Sequence, residues 1–277
     1  KAMRTSVTGN NNVAIGNHAL ADEGGSDSNN GADSNVAIGN EAMGSVDTGS
    51  HADARVLSNI AIGDSALEGG DFGSSDTNLD FNIAIGQSAL NSTGTTQHTG
   101  TIAIGASAGT AINSNDASGT TIVGHQAGMA ITEGARNTAI GHEALKSVTS
   151  TDNNTAVGFN AGTTCNSGFN VFVGRSAGVN FSNPSGGGDG NNTFVGAESG
   201  ETCQQGINNT LIGKGADVDA SSRDGCVIIG SGLSLNTGSD NFVEIGNDTN
   251  SLQYDLDGGD VVVTSDVRTK KDIEDSK

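Results

Sequence analysis

Carboxylates, imidazoles and thiols are the side chains of this sequence whose type and spacing could support chemistry. The acids are densest between Asp22 and Asp80, where Asp27, Asn29 and Asp33 have the superficial look of a calcium loop. The glycine such a loop requires falls at the wrong offset and its closing glutamate is missing, which argues against calcium there. His125 and His142 each follow a glycine that recurs along the chain, so the two imidazoles are expected to stack. Stacked imidazoles can hold a metal or an anion; the alternative is an exposed polar ladder without a ligand. Cys165, Cys203 and Cys226 are odd in number and form no Cys-x-x-Cys pair. That points away from zinc and from a disulfide framework, and toward buried thiols assembled in a reducing cytoplasm. No cofactor and no metal are expected. The acids are scattered over loops, with no constellation for glycan cleavage.

Phe159, Phe169, Phe172, Phe181 and Phe194 cluster in one stretch, in a chain with no Trp and a single Tyr. So few aromatics make a platform for stacking bases or sugars improbable; a fatter core or a subunit contact is the plainer expectation.

These residues are carried by a four-residue stretch, Val13-Ala14-Ile15-Gly16, that returns thirteen times. Its marker glycines are Gly16, Gly39, Gly63, Gly86, Gly105, Gly124, Gly141, Gly158, Gly174, Gly196, Gly213, Gly230 and Gly246, spaced by 16 to 24 residues. So short a period, with one strand-like core per copy, is the signature of a solenoid in which each copy forms one coil. The residue before the glycine is always Ile or Val, and the residue three before it is Val, Ile or Thr throughout. These two share one face of an extended segment, and the residue between them, Ala early and Ile122, Phe172, Phe194, Leu211 or Ile228 later, faces the other way. Both faces are apolar, the pattern of a strand covered on both sides. Four residues before the glycine stands Asn in nine copies, Cys226 and Phe242 being among the exceptions; three residues after it stands Ala in ten. In the last copy Glu244 replaces the apolar middle residue, as terminal, capping repeats often depart from consensus.

Leu, Ile, Val and Phe make up only 56 of 277 residues and the net charge is −20, a composition near the disordered range. Register is what permits a fold: branched residues recur at one coil position and can join into a continuous core. With parallel strands ~4.8 Å apart, thirteen coils would form a rod roughly 58 Å long. A core this thin is marginal in one chain, so a homotrimer is expected. The fold class is therefore all-β, a parallel β-solenoid (β-roll) forming a homotrimeric rod, with a short helix start at the C-terminus.

Three segments follow: a thirteen-coil solenoid over 1–246, a short β connector over 247–264, and a charged tail over 265–277 whose Ser265 or Asp266 could cap a helix. The first four coils carry long insertions, candidates for contacting a partner, the alternative being solvated excursions without specificity. Lacking an initiator Met or an apolar leader, the chain is expected to be part of a longer polypeptide. No stretch approaches the ~20 apolar residues of a membrane span, and an acidic rod repels nucleic acid.

The copies Asn12-Val13-Ala14-Ile15-Gly16, Asn59-Ile60-Ala61-Ile62-Gly63 and Asn82-Ile83-Ala84-Ile85-Gly86 resemble the head repeats of trimeric autotransporter adhesins. That resemblance covers residues 12 to 246 and implies a parallel β-roll wound about a three-fold axis, although the coils here are longer and variable. Thr264-Ser265-Asp266-Val267-Arg268-Thr269-Lys270 is similar to the entrance motif of the intramolecular chaperone that ends many phage tail fibres and tailspikes, including endosialidases. This second resemblance implies a single self-cleavage between Ser265 and Asp266, with Ser265 as hydroxyl nucleophile and Lys270 as its activating base. Together the two imply a structural and receptor-binding segment of a phage tail fibre, not otherwise an enzyme. Its expected partners are two further copies, a host cell-surface glycan or protein, and other virion tail proteins. It would be assembled in the host cytoplasm and displayed on the virion tail. The rival is the head of a bacterial trimeric surface adhesin.

Overall fold

The computed structural model describes residues 9–21, 32–45, 55–69, 78–92, 98–114, 117–182, 189–234, 238–258 and 261–264, and divides into two compact units, Lys1–Asn154 and Thr155–Lys277. All thirteen repeats form a strand, and no α-helix occurs among the described residues. The chain is an all-β, parallel β-solenoid.

In the first unit the repeat strands are β1 (Val13–Ile15), β3 (Val36–Ile38), β5 (Ile60–Ile62), β7 (Ile83–Ile85), β9 (Ile102–Ile104), β10 (Thr121–Val123) and β11 (Thr138–Ile140). They stack in that order as one parallel sheet without a register slip, so that Ile60, Ala61 and Ile62 lie beside Ile83, Ala84 and Ile85. Between them run β2 (Ala32–Asp33), β4 (Arg55–Leu57), β6 (Asn78–Asp80) and β8 (His98–Thr99), a second parallel sheet of four strands. This second sheet is confined to the coils of 19 to 24 residues, which have chain to spare for it.

The second unit holds β12 (Thr155–Val157), β13 (Val171–Val173), β14 (Thr193–Val195), β15 (Thr210–Ile212), β16 (Val227–Ser231) and β17 (Phe242–Asn247), again parallel and in register. Two antiparallel strands follow, β18 (Ser251–Asp255) on β17 and β19 (Val261–Thr264) on β18.

The strands are not covered on both sides as the apolar pattern suggests. The middle residue of each strand points into the coil: Ala37, Ala61, Ala84, Ala103, Ile122, Phe172, Phe194, Leu211 and Ile228 are fully buried. The β-branched pair points outward and stays partly exposed, up to 58% at Ile15. A coil this short encloses a narrow interior that accepts one inward residue per strand. The dry core is therefore made of the middle residue and the two residues that follow the turn, not of the branched pair.

How that interior is filled alternates. Where the middle residue is Ala, the residue four past the glycine is commonly Leu or Met, as at Leu20, Met43, Leu67, Leu90 and Leu145, all buried and all at positive φ near 50°. That conformation is costly for a large L-residue, and the buried side chain offsets the strain. Where the middle residue is Phe172 or Phe194, the position is Gly178 or Gly200, and a Cβ there would collide with the ring of that Phe. The three rings Phe172, Phe181 and Phe194 pack with centroids 5.5 to 6.1 Å apart. The marker glycine is required on two counts: Gly63 has φ +139°, and an added Cβ would lie 2.5 Å from the carbonyl oxygen of Gly86 one coil away.

The recurrent Asn is the polar spine of each coil stack. Asn59 donates its backbone N–H and its amide to Asn35 Oδ1 at 2.9 and 3.0 Å, and the same amide to the Leu79 carbonyl at 2.6 Å. Asn82 repeats the pattern on Asn59 at 2.9 and 3.1 Å, and in the second unit Asn192 does so on Asn170 at 3.1 and 3.0 Å. The amide thus satisfies backbone groups left over where the chain turns into the strand, in the buried interior of the coil. Thr101 interrupts the spine: its N–H still reaches Asn82 Oδ1 at 3.0 Å, but its buried hydroxyl has no partner.

Candidate functional site

The outward pair of each strand, repeated in register, is the most extended chemical feature of either unit. In the first unit Ile38, Ile62, Ile85, Ile104, Val123 and Ile140 form one column, and Val36, Ile60, Ile83, Ile102, Thr121 and Thr138 a second column beside it. In the second unit Val157, Val173, Val195, Ile212, Ile229 and Ile245 form the corresponding column. Ile140, Ile212, Ile229 and Ile245 are 37–45% exposed. The face has almost nothing to offer but methyl groups and Thr hydroxyls, so its chemistry is exclusion of water by a matching apolar surface.

The position one past the marker glycine forms a polar ladder over the first three repeats. Asn17 donates to Asn40 at 3.1 Å and Asn40 to Asp64 at 2.9 Å. Further along, His125 and His142 stack as the spacing predicts, with centroids 5.1 Å apart and planes 22° from parallel. Both rings are exposed, and beside them Glu143 pairs with Lys146 at 2.8 Å. The hydrogen bond from Lys146 holds the Glu143 carboxyl below the usual carboxylate range. Among the described residues no group of three or more His, Cys, Asp or Glu side chains is placed to hold a metal ion.

The thiols lie inside the coils. Cys165, Cys203 and Cys226 are fully buried, and burial pushes Cys165 and Cys203 each up to about 12, while Cys226 is raised for the same reason. Cys226 fills an Asn position of the spine, its N–H donating to Asn209 Oδ1 at 2.8 Å. Phe172, Phe181 and Phe194 are core, whereas Phe159 and Phe169 are about half exposed at 49% each.

Ser265, Asp266 and Lys270 lie outside the described residues, as does the helix expected there; β19 ends at Thr264. Asp27, Asn29 and most of the acidic insertions lie outside as well. Asp33, the remaining member of that loop, accepts from the Asn10 N–H at 2.6 Å.

Besides Asp80, which pairs with Arg55 at 3.0 Å, two carboxyls are buried among the described residues. Asp217 accepts from the N–H groups of Thr202, Val218 and Cys203 at 2.7, 2.8 and 3.3 Å, yet its burial raises its pKa above the ordinary carboxylate value. Glu244 is the other, and its departure from the apolar middle position was visible in the sequence. Among the described residues no helix is long and apolar enough to cross a membrane. Comparison with known proteins finds no family model, no curated relative and no solved structure that matches this chain.

Proposed function

We propose that the chain is a structural and receptor-binding segment of a phage tail fibre, acting as a homotrimer that attaches to a host surface. The observation that carries this reading is the in-register Val and Ile face. A stripe of methyl groups repeated on strand after strand is unfavourable in water at about 25 cal/mol per Å². Identical copies arranged about a common axis would each cover it with the same stripe. The likeness of the repeats to adhesin heads supports three copies, and the likeness of Thr264–Lys270 to the chaperone entrance supports a tail fibre.

In this reading the coils supply stiffness, and the coil-end loops contact a cell-surface glycan or protein. Other virion tail proteins hold the far end. The −20 charge disfavours nucleic acid. Once only, Lys270 takes the Ser265 hydroxyl proton, Ser265 Oγ attacks the carbonyl of the Ser265–Asp266 bond, the proton passes to the departing Asp266 amine, and water hydrolyses the resulting ester, releasing the trimer from its chaperone; no other catalysis is proposed. Binding of the fluorescently labelled chain to a panel of bacteria tests attachment. Saturable labelling of some strains, competed by unlabelled chain, supports it, and uniform non-saturable labelling of all strains refutes it. The rival, a bacterial trimeric adhesin head, is favoured by the same Asn-x-x-Ile-Gly repeats. The coding sequence beyond Lys277 separates the two: a chaperone domain for the fibre, a membrane β-barrel for the adhesin.

A further inference from the structure

The last repeat breaks a rule that every other coil keeps. At the middle position of β17 the inward residue is Glu244, stacked on Ile228 of β16 and facing Gln253 of the antiparallel β18. It is 4% exposed. Gln253 donates its amide to Glu244 Oε1 at 3.0 Å, but Glu244 Oε2 is buried without any hydrogen-bond partner. A carboxylate oxygen withdrawn from water and given no donor is unfavourable, and capping a solenoid does not require one. Glu244 lines a half-open cavity of about 270 Å³ together with Asp248, Ser234, Ser251 and Gln253, its Oε2 lying just beneath the cavity surface.

The lining identifies the class of ligand. It contains carboxylate, hydroxyl and amide groups, with no imidazole or thiol, which is the donor set of a hard cation and not of zinc or copper. Gln253 uses its amide nitrogen on Glu244, so its carbonyl oxygen remains a possible ligand. The volume leaves room for waters, at about 30 Å³ each, to complete a shell. A sugar would want an aromatic platform, and the cavity has none. We propose that this cavity binds calcium, anchored by Asp248 and by the Glu244 carboxyl, whose unpartnered Oε2 turns into the cavity on binding, with neutral oxygens from Gln253 and Ser234 and with water making up the remainder. Two carboxylates and a half-open mouth suit a weak site of the kind found in extracellular modules, with a dissociation constant of about 10⁻⁴–10⁻³ M. The proposal rests on the end of the second unit alone and is independent of the trimer.

The test is thermal unfolding of the full chain in EDTA and in about 10 mM CaCl2, with NaCl at matched ionic strength as the control for screening of the −20 charge. Calcium is expected to raise the midpoint by about 3 °C or more beyond the NaCl control. Glu244→Gln, which keeps a partner for Gln253, is expected to abolish the shift, and Asp248→Asn at the exposed rim to weaken binding about tenfold. Terbium supplies a second readout on the unmodified protein: Tyr254, the sole tyrosine in a chain without tryptophan, adjoins Gln253 and should sensitise its emission. Calcium should then quench that emission by displacement. A midpoint shift matched by NaCl, a shift retained in Glu244→Gln, or terbium emission that calcium does not displace would overturn the proposal.

Discussion

The coil around β5 and the coil around β13 have the same narrow interior but fill it oppositely. In the first, a small Ala61 on the strand is matched by a large Leu67 after the turn, held at a φ of 49°. In the second, a large Phe172 on the strand is matched by Gly178 after the turn, where left-handed backbone costs little. The comparison shows that the coil conserves interior volume and turn geometry, not residue identity. It also shows where each solution stores its cost: backbone strain in the Leu coil, and dependence on a few large rings in the Phe coil.

That dependence sets the largest expected effect. Phe172→Ala removes the ring that touches both Phe181 and Phe194 and should destabilise the chain by about 3–5 kcal/mol, read from denaturant unfolding. The comparison is tested more sharply by converting one solution into the other. Ala61→Phe alone should cost about 1–3 kcal/mol through overpacking. Combined with Leu67→Gly it should cost less than the sum of the two single changes, with a coupling of about 0.5–3 kcal/mol in a double-mutant cycle. Strict additivity would mean that the two positions do not share a volume.

The Asn spine gives a smaller effect with a built-in control. Asn59→Ala removes the acceptor of the Asn82 N–H and of one amide N–H of Asn82, the other still donating to the His98 carbonyl, and the donor to the Leu79 carbonyl, and should cost about 1–3 kcal/mol. Thr101→Ala removes a hydroxyl that has no partner and should change stability by less than about 0.5 kcal/mol. Asp217 carries the smallest and most pH-specific expectation. Burial raises its folded pKa, so it favours the fold most when protonated. That contribution is complete below the ordinary Asp value and is lost as pH rises through the raised one. Asp217→Asn should therefore remove that loss of stability with rising pH, read from denaturant unfolding across the acid range; a variant that keeps the same fall would assign the pH dependence elsewhere.

The solenoid itself was legible because Asn, a β-branched pair and Gly recur at fixed offsets, which no other common fold demands. Which face of the strand points inward was not. Alternation says only that neighbours face opposite ways, and both faces are apolar here. The clue lay in the partner position: Leu67 with Ala61, and Gly178 with Phe172, vary in size together, as residues sharing an interior must. The second sheet announced itself through Val56 and Leu79, each seven residues before a marker glycine and each buried, but inside long acidic insertions that otherwise read as loops. The departure at Glu244 could be seen in the sequence; that its Oε2 would be left without a donor depends on β18 folding back, which residue spacing does not encode. The stacking of His125 on His142 followed directly from their shared offset.

The central claim is that the outward Val and Ile columns are covered by further copies of the same chain. Native mass measurement of the intact protein, beside an Ile62→Asp variant that places a charge on the column without entering the coil interior, addresses it directly. The account predicts three times the 27.5 kDa chain mass for the unmodified protein and loss of that species in the variant. A mass of 27.5 kDa for the unmodified protein at working concentration would contradict it.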